Sequence, residues 1–575
     1  MNTIPLEYPR PQFYRKAWRS LDGVWDFAFD DDDAGRRECW HVKPLGGKIN
    51  VPFCYQCEKS GVADKSYHPV MWYGRCFDNG SRYGGKRVLL HFQAVDETFD
   101  VWINGEHAGA HHGGHTAACF EITPFLHEGE NRISLRVEDR RAPHKPQGKQ
   151  TPTGIVDRCW YTPTSGIWQS VWLEAVEKSY ISSVHFRPDI DLDTVHIRAH
   201  CVCGEHDRLN IKISYKGTVV AEVSTAAKAE TELSVCLGEL DFTDEIQLWS
   251  PETPNLFDAE LTLTSDFGED RVISYFGMRK IESRNGKIHL NNKPYYLRMV
   301  LDQGYWRDSL MTPPEAGSLK ADVELTRAFG FNGARKHQKL EDARYYYWAD
   351  RLGLLVWAEM PSAYHFCAEQ CAEMAHAWSE AIAQLYNHPS IIAWVPFNES
   401  WGIRKVLTDR CQQSLAEAMY HYIKAQDSTR LVSTNDGWEQ VKSDICGIHD
   451  YFGTAEDFES KYRDIHALLA NSAQGRRIYA DGCRYGGEPI IISEYGGIAL
   501  GEGTPEAWGY NEQAENAHSF CARLESITRA IYAHSDLAGF CYTQLTDVMQ
   551  EINGLADADH VSKVPPETVR QIMHT

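Results

Sequence analysis

Two apolar segments that each contain a glutamate at their end constrain the fold of this chain more than any other feature. Residues 394–401 read WVPFNESW, and residues 490–497 read IIISEYGG. Such runs are typical of strands buried in a parallel sheet, and a carboxylate at the end of such a strand lies where barrel enzymes build their sites. Glu399 and Glu494 therefore predict a shared site at a barrel mouth, rather than two acids that cap the following helices.

The C-terminal half of the chain alternates between short apolar runs and longer amphipathic stretches. Strands are predicted at residues 296–301, 331–335, 354–359, 391–397, 430–433, 445–449, 490–493 and 538–542. Eight strands separated by helices predict a (β/α)8 barrel, with Glu399 after the fourth strand and Glu494 after the seventh. Two carboxylates on separate strands are the pair that retaining glycosidases use, one as acid/base and one as nucleophile.

The N-terminal half shows short alternating strands without a helical period. Asn104-Gly105 lies between two such strands and is a strong signal for a hairpin turn. Two consecutive β-sandwiches are predicted, the second of immunoglobulin-like size but without the usual cysteine pair. The expected domain bounds are 1–176, 177–282 and 283–575.

Composition excludes several classes of partner. The formal net charge of −22 argues against nucleic acid and anionic membrane surfaces, since both require a basic footprint. No apolar stretch approaches the ~20 residues of a membrane-spanning helix, and the first ten residues lack the features of a secretory signal. The 16 scattered cysteines lack zinc-finger spacing and are typical of reduced thiols, so a cytoplasmic location is expected.

Several short motifs, taken in their order, resemble glycoside hydrolase family 2. They are residues 20–27 (SLDGVWDF), 101–106 (VWINGE), 165–172 (SGIWQSVW), 248–256 (LWSPETPNL), 276–279 (FGMR) and 330–337 (GFNGARKH), together with the two glutamate segments. The family contains β-galactosidases, β-glucuronidases and β-mannosidases. The resemblance implies a jelly-roll-like sugar-binding sandwich, an immunoglobulin-like sandwich and a C-terminal TIM barrel.

The resemblance also implies roles for the strand-end residues. Glu399 would be the acid/base and Glu494 the nucleophile of a retaining mechanism. Asn398 would donate a hydrogen bond to the sugar 2-hydroxyl, and Arg335 would keep the nucleophile ionised and aligned. His337, two residues later, could line the sugar site.

Five further residues are candidates for substrate contacts. His449 and Tyr451 close strand six, where Tyr451 could donate a hydrogen bond to the nucleophile and His449 could contact the sugar. Asp302 could accept bonds from sugar hydroxyls, and Trp306 could form a stacking wall. Gln544, after strand eight, could hydrogen-bond the sugar where many family members carry a tryptophan.

No metal and no cofactor are expected. Large β-galactosidases bind magnesium beyond strand three, but this chain offers only Glu359 and His365 there, and a hard cation needs several oxygen ligands. The expected partner is a β-glycoside or oligosaccharide, and a homo-oligomer is left open.

The sugar specificity is the least constrained expectation, with a β-galactoside as the default. The Asn-x-Lys element of β-glucuronidases does not follow the nucleophile, and residues 543–562 contain Asp547 and Glu551 but no lysine or arginine. Two acids near the mouth would repel a uronate, unless Arg307 or Arg484 folds in. A β-glucuronide, β-galacturonide or β-mannoside remains the alternative, and a non-catalytic carbohydrate-binding protein is the remote one.

Overall fold

The computed structural model describes residues 4–78, 83–238, 246–473, 475–501 and 506–574. They form two β-sandwiches followed by a barrel of parallel strands and helices, which confirms the predicted fold class. None of the 16 cysteines, all of them described, forms a disulfide. No helix in the described ranges is long and apolar enough to cross a membrane.

The first sandwich packs a six-stranded antiparallel sheet against a four-stranded one. In spatial order the larger sheet contains Gly47–Val51, Gly23–Phe29, Val70–Asp78, Glu130–Glu138, Thr98–Ile103 and Glu106–His112, and the smaller contains Trp18–Ser20, Val171–Val176, Arg87–Phe92 and Ala118–Glu121. A two-stranded pair, Val95–Asp96 and Gly166–Ile167, lies beside them. Alternating apolar residues of the two sheets, such as Trp25, Leu90 and Leu135, form one buried core.

The second sandwich is smaller and has its own core. Its sheets contain Tyr180–Asp189, Thr194–Val202 and Glu230–Cys236 on one side, and Thr218–Ala226, Arg208–Tyr215, Phe257–Ser265 and Gly268–Phe276 on the other. Ile197, Ile211 and Leu261 alternate inward in the core between them. A three-stranded antiparallel sheet, Ile281–Arg284, Lys287–Leu290 and Lys293–Pro294, then leads into the barrel, whose interior receives Ile281 and Ile288.

Eight parallel strands form the barrel, in the spatial order β5-β4-β3-β2-β1-β8-β7-β6. They are β1 (Leu297–Asp302), β2 (Gly333–Lys336), β3 (Leu355–Glu359), β4 (Ile391–Val395), β5 (Leu431–Val432), β6 (Cys446–His449), β7 (Ile490–Gly496) and β8 (Leu537–Thr543). The helices are α1 (Ser318–Ala328), α2 (Ala343–Leu352), α3 (Ala368–Leu385), α4 (Arg410–Gln426), α5 (Ala455–Tyr462), α6 (Ile465–Ala470), α7 (Ala517–Ala533) and α8 (Pro566–Met573).

The fourth strand is shorter than its apolar run predicts. The hydrogen-bonded ladder of the parallel sheet ends at Val395, because the next residue, Pro396, has no N–H to donate. A separate two-residue pair, Phe397–Asn398 with Asn435–Asp436, continues the strand direction beyond the proline. This extension delivers Asn398 and then Glu399 to the mouth of the barrel.

A segment of the first sandwich reaches across to the barrel, and we call residues 139–165 the mouth loop. The backbone N–H of Gly148 donates to the carbonyl of Ser362 (3.0 Å), and the Tyr364 hydroxyl donates to the carbonyl of Gln150 (2.7 Å). Gly148 has φ +59°, and a Cβ there would lie 2.5 Å from the carbonyl oxygen of Gln338, so only glycine permits this approach. The mouth loop is thereby fixed to the strand ends of the barrel.

Candidate active site

Arg335, at the end of β2, lies at the centre of the charged network in the barrel mouth. Its fully buried guanidinium contacts Glu494 Oε1 at 3.0 Å, Asp436 Oδ2 at 2.8 Å and Glu359 Oε2 at 2.9 Å. It also donates to Asn398 Oδ1 at 2.6 Å. A buried cation requires such pairing, and its planar donors fix the orientation of each acceptor. The predicted contact between Arg335 and the strand-seven carboxylate is present.

His449 lies between the two predicted catalytic carboxylates. Its Nδ1 is 2.8 Å from Glu399 Oε1 and 3.5 Å from Glu494 Oε1, while Nε2 is 3.0 Å from Asp436 Oδ2. Burial alone would lower the pKa of His449, but the Glu494 charge and the hydrogen bonds to Asp436 and Glu399 raise it to about 10. At neutral pH His449 is therefore an imidazolium that donates from both ring nitrogens.

The side chains of the two glutamates approach each other closely. A carboxylate oxygen of Glu399, one of Glu494 and a ring nitrogen of His449 lie within 4.8 Å of one another. The same three groups have the spacing of metal ligands. A short separation of two carboxyl groups is also found in retaining glycosidases.

Glu399 has an unusual backbone and an unexpected electrostatic environment. Its φ is +52° and that of Ser400 is +60°, and both fall in the left-handed region. Burial favours a raised pKa for Glu399, but the hydrogen bond from His449 and the charge of that residue lower it overall. The contact with His449 therefore favours the ionised form of Glu399.

Glu494 is oriented from a second side by Tyr451, whose hydroxyl donates to Glu494 Oε2. The Tyr451 ring stacks on Tyr510, with centroids 3.9 Å apart and an interplanar angle of 3°. This predicted donor is therefore held in place by an aromatic neighbour from the loop after β7.

His337 and Glu359 form a further pair in the network. His337 Nδ1 is 3.0 Å from Glu359 Oε2, and burial together with the charges of Lys149 and Arg335 lowers the pKa of His337 well below its usual value. The neutral ring thus donates to Glu359. Burial raises the pKa of Glu359 to about 7, and its Oε1 has no hydrogen-bond partner among the described residues.

Two of the predicted residues lie outside this network. Asp302 is buried and pairs with Lys336 Nζ at 2.9 Å, and Trp306 packs against His560 at 5.3 Å with an interplanar angle of 12°. Asp302 therefore forms a buried ion pair with Lys336. The Trp306 ring is covered by protein and does not form an open wall. Gln544 is also buried; its Oε1 accepts from Gln303 at 3.0 Å, and its Nε2 has no partner among the described residues.

Matches to family models agree with this geometry. The model of the sugar binding domain of glycosyl hydrolases family 2 matches residues 18–176, a second family 2 model matches 179–279, and the family 2 TIM barrel model matches 281–521. The chain belongs to glycosyl hydrolases family 2. The resemblance of its sequence motifs is thereby confirmed.

Relatives in family 2 carry two different activities in their names. One, 26% identical over 62% of this chain and 43% of its own length, is a putative β-glucuronidase of Formosa agariphila. The chain is 30% identical over 356 residues to a β-galactosidase of Thermoanaerobacter pseudethanolicus, covering 59% of this chain and 46% of that protein. It is 24% identical to a β-galactosidase large subunit of Latilactobacillus sakei, covering 75% and 66%. The chain thus spans about half to two thirds of the length of these curated relatives.

Among solved structures, the apo β-glucuronidase of Ruminococcus gnavus superposes with a TM-score of 0.79 at 19% identity, covering 99% of each chain. At this identity the similarity establishes the fold alone. Family 2 membership and fold are therefore secure, while the sugar is a separate question.

Asp436, which contacts Arg335 and His449, was not predicted from the sequence, and neither was Lys149. Lys149 belongs to the mouth loop, is 5% exposed, and places Nζ 5.2 Å from the ring centroid of Trp401. Burial would lower its pKa, but nearby charges, among them Glu551 and Glu494, raise it. Among the described residues none accepts a hydrogen bond from its ammonium, so Lys149 is a buried cation with free donors. Only its sequence neighbourhood, a Gly-Lys-Gln in an irregular loop, could have drawn attention to it.

The strand-eight acids behave differently from the expectation that both would repel a uronate. Asp547 is 2.6 Å from Lys563 Nζ, so its charge is compensated. Glu551 is fully buried and accepts hydrogen bonds from the Tyr161 hydroxyl (2.5 Å) and from Asn553 (3.1 Å). Burial raises the pKa of Glu551 despite these bonds.

Arg307 and Arg484, the two cations that the sequence offered as partners of a uronate, do not contact the charged network around Arg335. Arg307 pairs with Asp559 at 2.9 Å, with both side chains more than half exposed. Arg484 lines a separate surface cavity with His466 and Tyr479.

Proposed function

We propose that this chain is a retaining β-glycosidase that removes a terminal β-linked sugar by double displacement. The observation that carries the proposal is the approach of a Glu399 oxygen and a Glu494 oxygen to within 4.8 Å, with Arg335 at 3.0 Å from Glu494. This separation suits direct attack on the anomeric carbon, and leaves no room for a water between carboxylate and sugar as inversion requires.

In the first step an oxygen of Glu494 bonds to the anomeric carbon while the bond from that carbon to the leaving oxygen breaks. Glu399, in its protonated form, gives its proton to the leaving oxygen. Arg335 and Tyr451 keep Glu494 in its attacking position. In the second step Glu399 takes a proton from water, whose oxygen displaces Glu494, and the anomeric configuration is retained.

Two other residues fit roles in sugar binding. Asn398 uses its Oδ1 for Arg335, which leaves the amide N–H groups for the 2-hydroxyl. Glu359 Oε1 and Gln544 Nε2 are buried without partners among the described residues, and a buried polar atom of this kind is stabilised when a ligand hydroxyl reaches it.

A β-galactoside is the proposed substrate, supported by the names of two relatives at 30% and 24% identity, although a third at 26% identity is named a putative β-glucuronidase. A β-linked uronide is the second candidate, and Lys149 is the observation that favours it. A buried ammonium with free N–H donors is suited to bind a carboxylate, because charge-assisted hydrogen bonds between the two groups are strong. The compensation of Asp547 by Lys563 removes part of the repulsion that would oppose a uronate.

A panel of p-nitrophenyl β-glycosides tests the proposal and separates the candidates. We expect hydrolysis of the β-galactoside with a β-configured product in the first NMR spectra. An α-configured first product would contradict the retaining mechanism. A kcat/KM for the glucuronide or galacturonide tenfold above that for the galactoside would select the second candidate. No hydrolysis of any member would favour a carbohydrate-binding protein.

A further inference from the structure

The mouth loop carries an aromatic and apolar surface that the reaction at the two glutamates does not use. Trp160 is half-buried, and on the same hairpin Ile155 is 70% exposed and Val156 is 40% exposed. Large apolar side chains next to each other in solvent are unfavourable unless something covers them. This part of the loop therefore has the chemistry of a binding surface.

The Trp160 ring is held rigidly against the barrel. It stacks on Trp401, with centroids 4.7 Å apart and an interplanar angle of 20°, and contacts Tyr364 edge-on at 5.3 Å. The Gln550 side chain donates to the Trp160 carbonyl at 3.1 Å. Rings from the first sandwich and from two barrel loops thus form one preorganised platform, which loses little entropy when a ligand binds.

The position of this platform relates it to the leaving group. Trp401 follows Glu399 by two residues, and the Lys149 ammonium lies over the Trp401 ring. In the proposed mechanism Glu399 protonates the leaving oxygen, so the group attached to that oxygen lies on the Glu399 side of the mouth. The platform is on that side.

We propose that Trp160, held in place by the buried Trp401 and by Tyr364, forms with the exposed Ile155 and Val156 an aglycone subsite for a flat apolar group such as an aryl aglycone. This inference rests on the proposed function. A flat ring stacks on the indole and gains contact with the aliphatic side chains. A second sugar would instead present hydroxyls to Ile155 and Val156, whose side chains have no hydrogen-bonding group.

Acceptor competition tests the subsite with the sugar held constant. The glycosyl-enzyme is formed from a p-nitrophenyl β-glycoside that the enzyme hydrolyses, and 2-phenylethanol competes with methanol for it. The ratio of the two transfer products measures the preference for an aromatic acceptor. We expect Trp160→Ala to lower this ratio about tenfold, the order expected for loss of one aromatic contact.

Two further variants distinguish loss of the aromatic contact from local misfolding of the loop. Trp160→Phe retains an aromatic ring, and we expect it to keep the ratio within about threefold of wild type. Ile155→Ser leaves the ring stack intact, and we expect a decrease of about twofold to threefold.

An unchanged ratio in Trp160→Ala would overturn the subsite. If transfer to a glucose acceptor also becomes weaker while the ratio stays unchanged, the platform binds a sugar instead of an aryl group. Absence of turnover with every β-glycoside is a different result, which would overturn the proposed function first and this inference with it.

Discussion

The strand ends of the barrel and the mouth loop of the first sandwich supply the two halves of one site, and they are built differently. At the strand ends every charge is paired, with Arg335 contacting three carboxylates and His449 linking Glu399 to Glu494. The mouth loop brings Lys149 with free donors and the half-buried Trp160, which stacks on Trp401. The paired half is fixed for one reaction, whereas the unpaired half is available to recognise a substrate.

The largest expected effect concerns the paired half. Glu494→Ala should lower kcat by several orders of magnitude, because it removes the attacking carboxylate, and azide should restore part of the rate by attacking in its place. The azide product should be a glycosyl azide of inverted configuration. Stopped assays with a p-nitrophenyl β-glycoside and NMR of the product provide the measurement.

Glu399→Ala is the matched control for that variant. Its first step should survive better with a 2,4-dinitrophenyl leaving group than with a poor one, since a good leaving group needs less acid assistance. Near-native turnover in both variants would show that the two glutamates are not the catalytic pair.

A smaller effect is expected from the unpaired half. Lys149→Met should lower kcat/KM for a β-glucuronide or β-galacturonide about 100-fold more than for the matching β-galactoside, because it removes a buried ammonium that suits a carboxylate. The ratio of the two kcat/KM values is the quantity to measure.

Arg404→Met is the control, since Arg404 is an exposed cation near the same Trp401 ring. Solvent screens an exposed charge, so its loss should change the ratio by less than about threefold. Equal ratios in wild type and Lys149→Met would remove the uronide candidate's support.

The smallest effect is a shift in pH dependence. The acid step requires protonated Glu399, so activity is lost as pH rises through the pKa of Glu399. His449 lowers this pKa, which places the loss at a lower pH. His449→Asn removes the positive charge, and we expect the alkaline limb of kcat/KM to move upward by about one pH unit.

His421→Asn, an exposed site on α4, should leave the profile unchanged. An alkaline limb that stays in place in His449→Asn would mean that the imidazolium does not set the ionisation of the acid.

The sequence predicts the strand-end half of the site better than the mouth-loop half. Glu399 and Glu494 follow from local patterns, because a buried parallel strand delivers the residue at its end to the barrel mouth. Arg335 and Tyr451 were expected from the resemblance to family 2. Their mutual contacts then follow from closure of the barrel. The eight strands were predicted for the same reason, with Pro396 interrupting the fourth.

Long-range contacts account for what the sequence did not predict. The position of Lys149 depends on bonds from an irregular loop to Ser362 and Tyr364, more than 200 residues away. Trp306 follows a strand end, as a wall residue would, but its ring is covered by His560. No local pattern encodes such partners, and they decide which strand-end residues face the substrate.

The left-handed backbone at Glu399 and Ser400 has a consequence for the evolution of this protein. Each non-glycine residue in that region costs on the order of 1–2 kcal/mol in folding free energy. Hydrogen bonds from Ser400 to Asn435 and Glu439 hold the turn against this cost. Glycine at position 399 would relieve the strain and abolish the acid, so thermostability selected without activity would drive the chain toward a well-folded but inert protein.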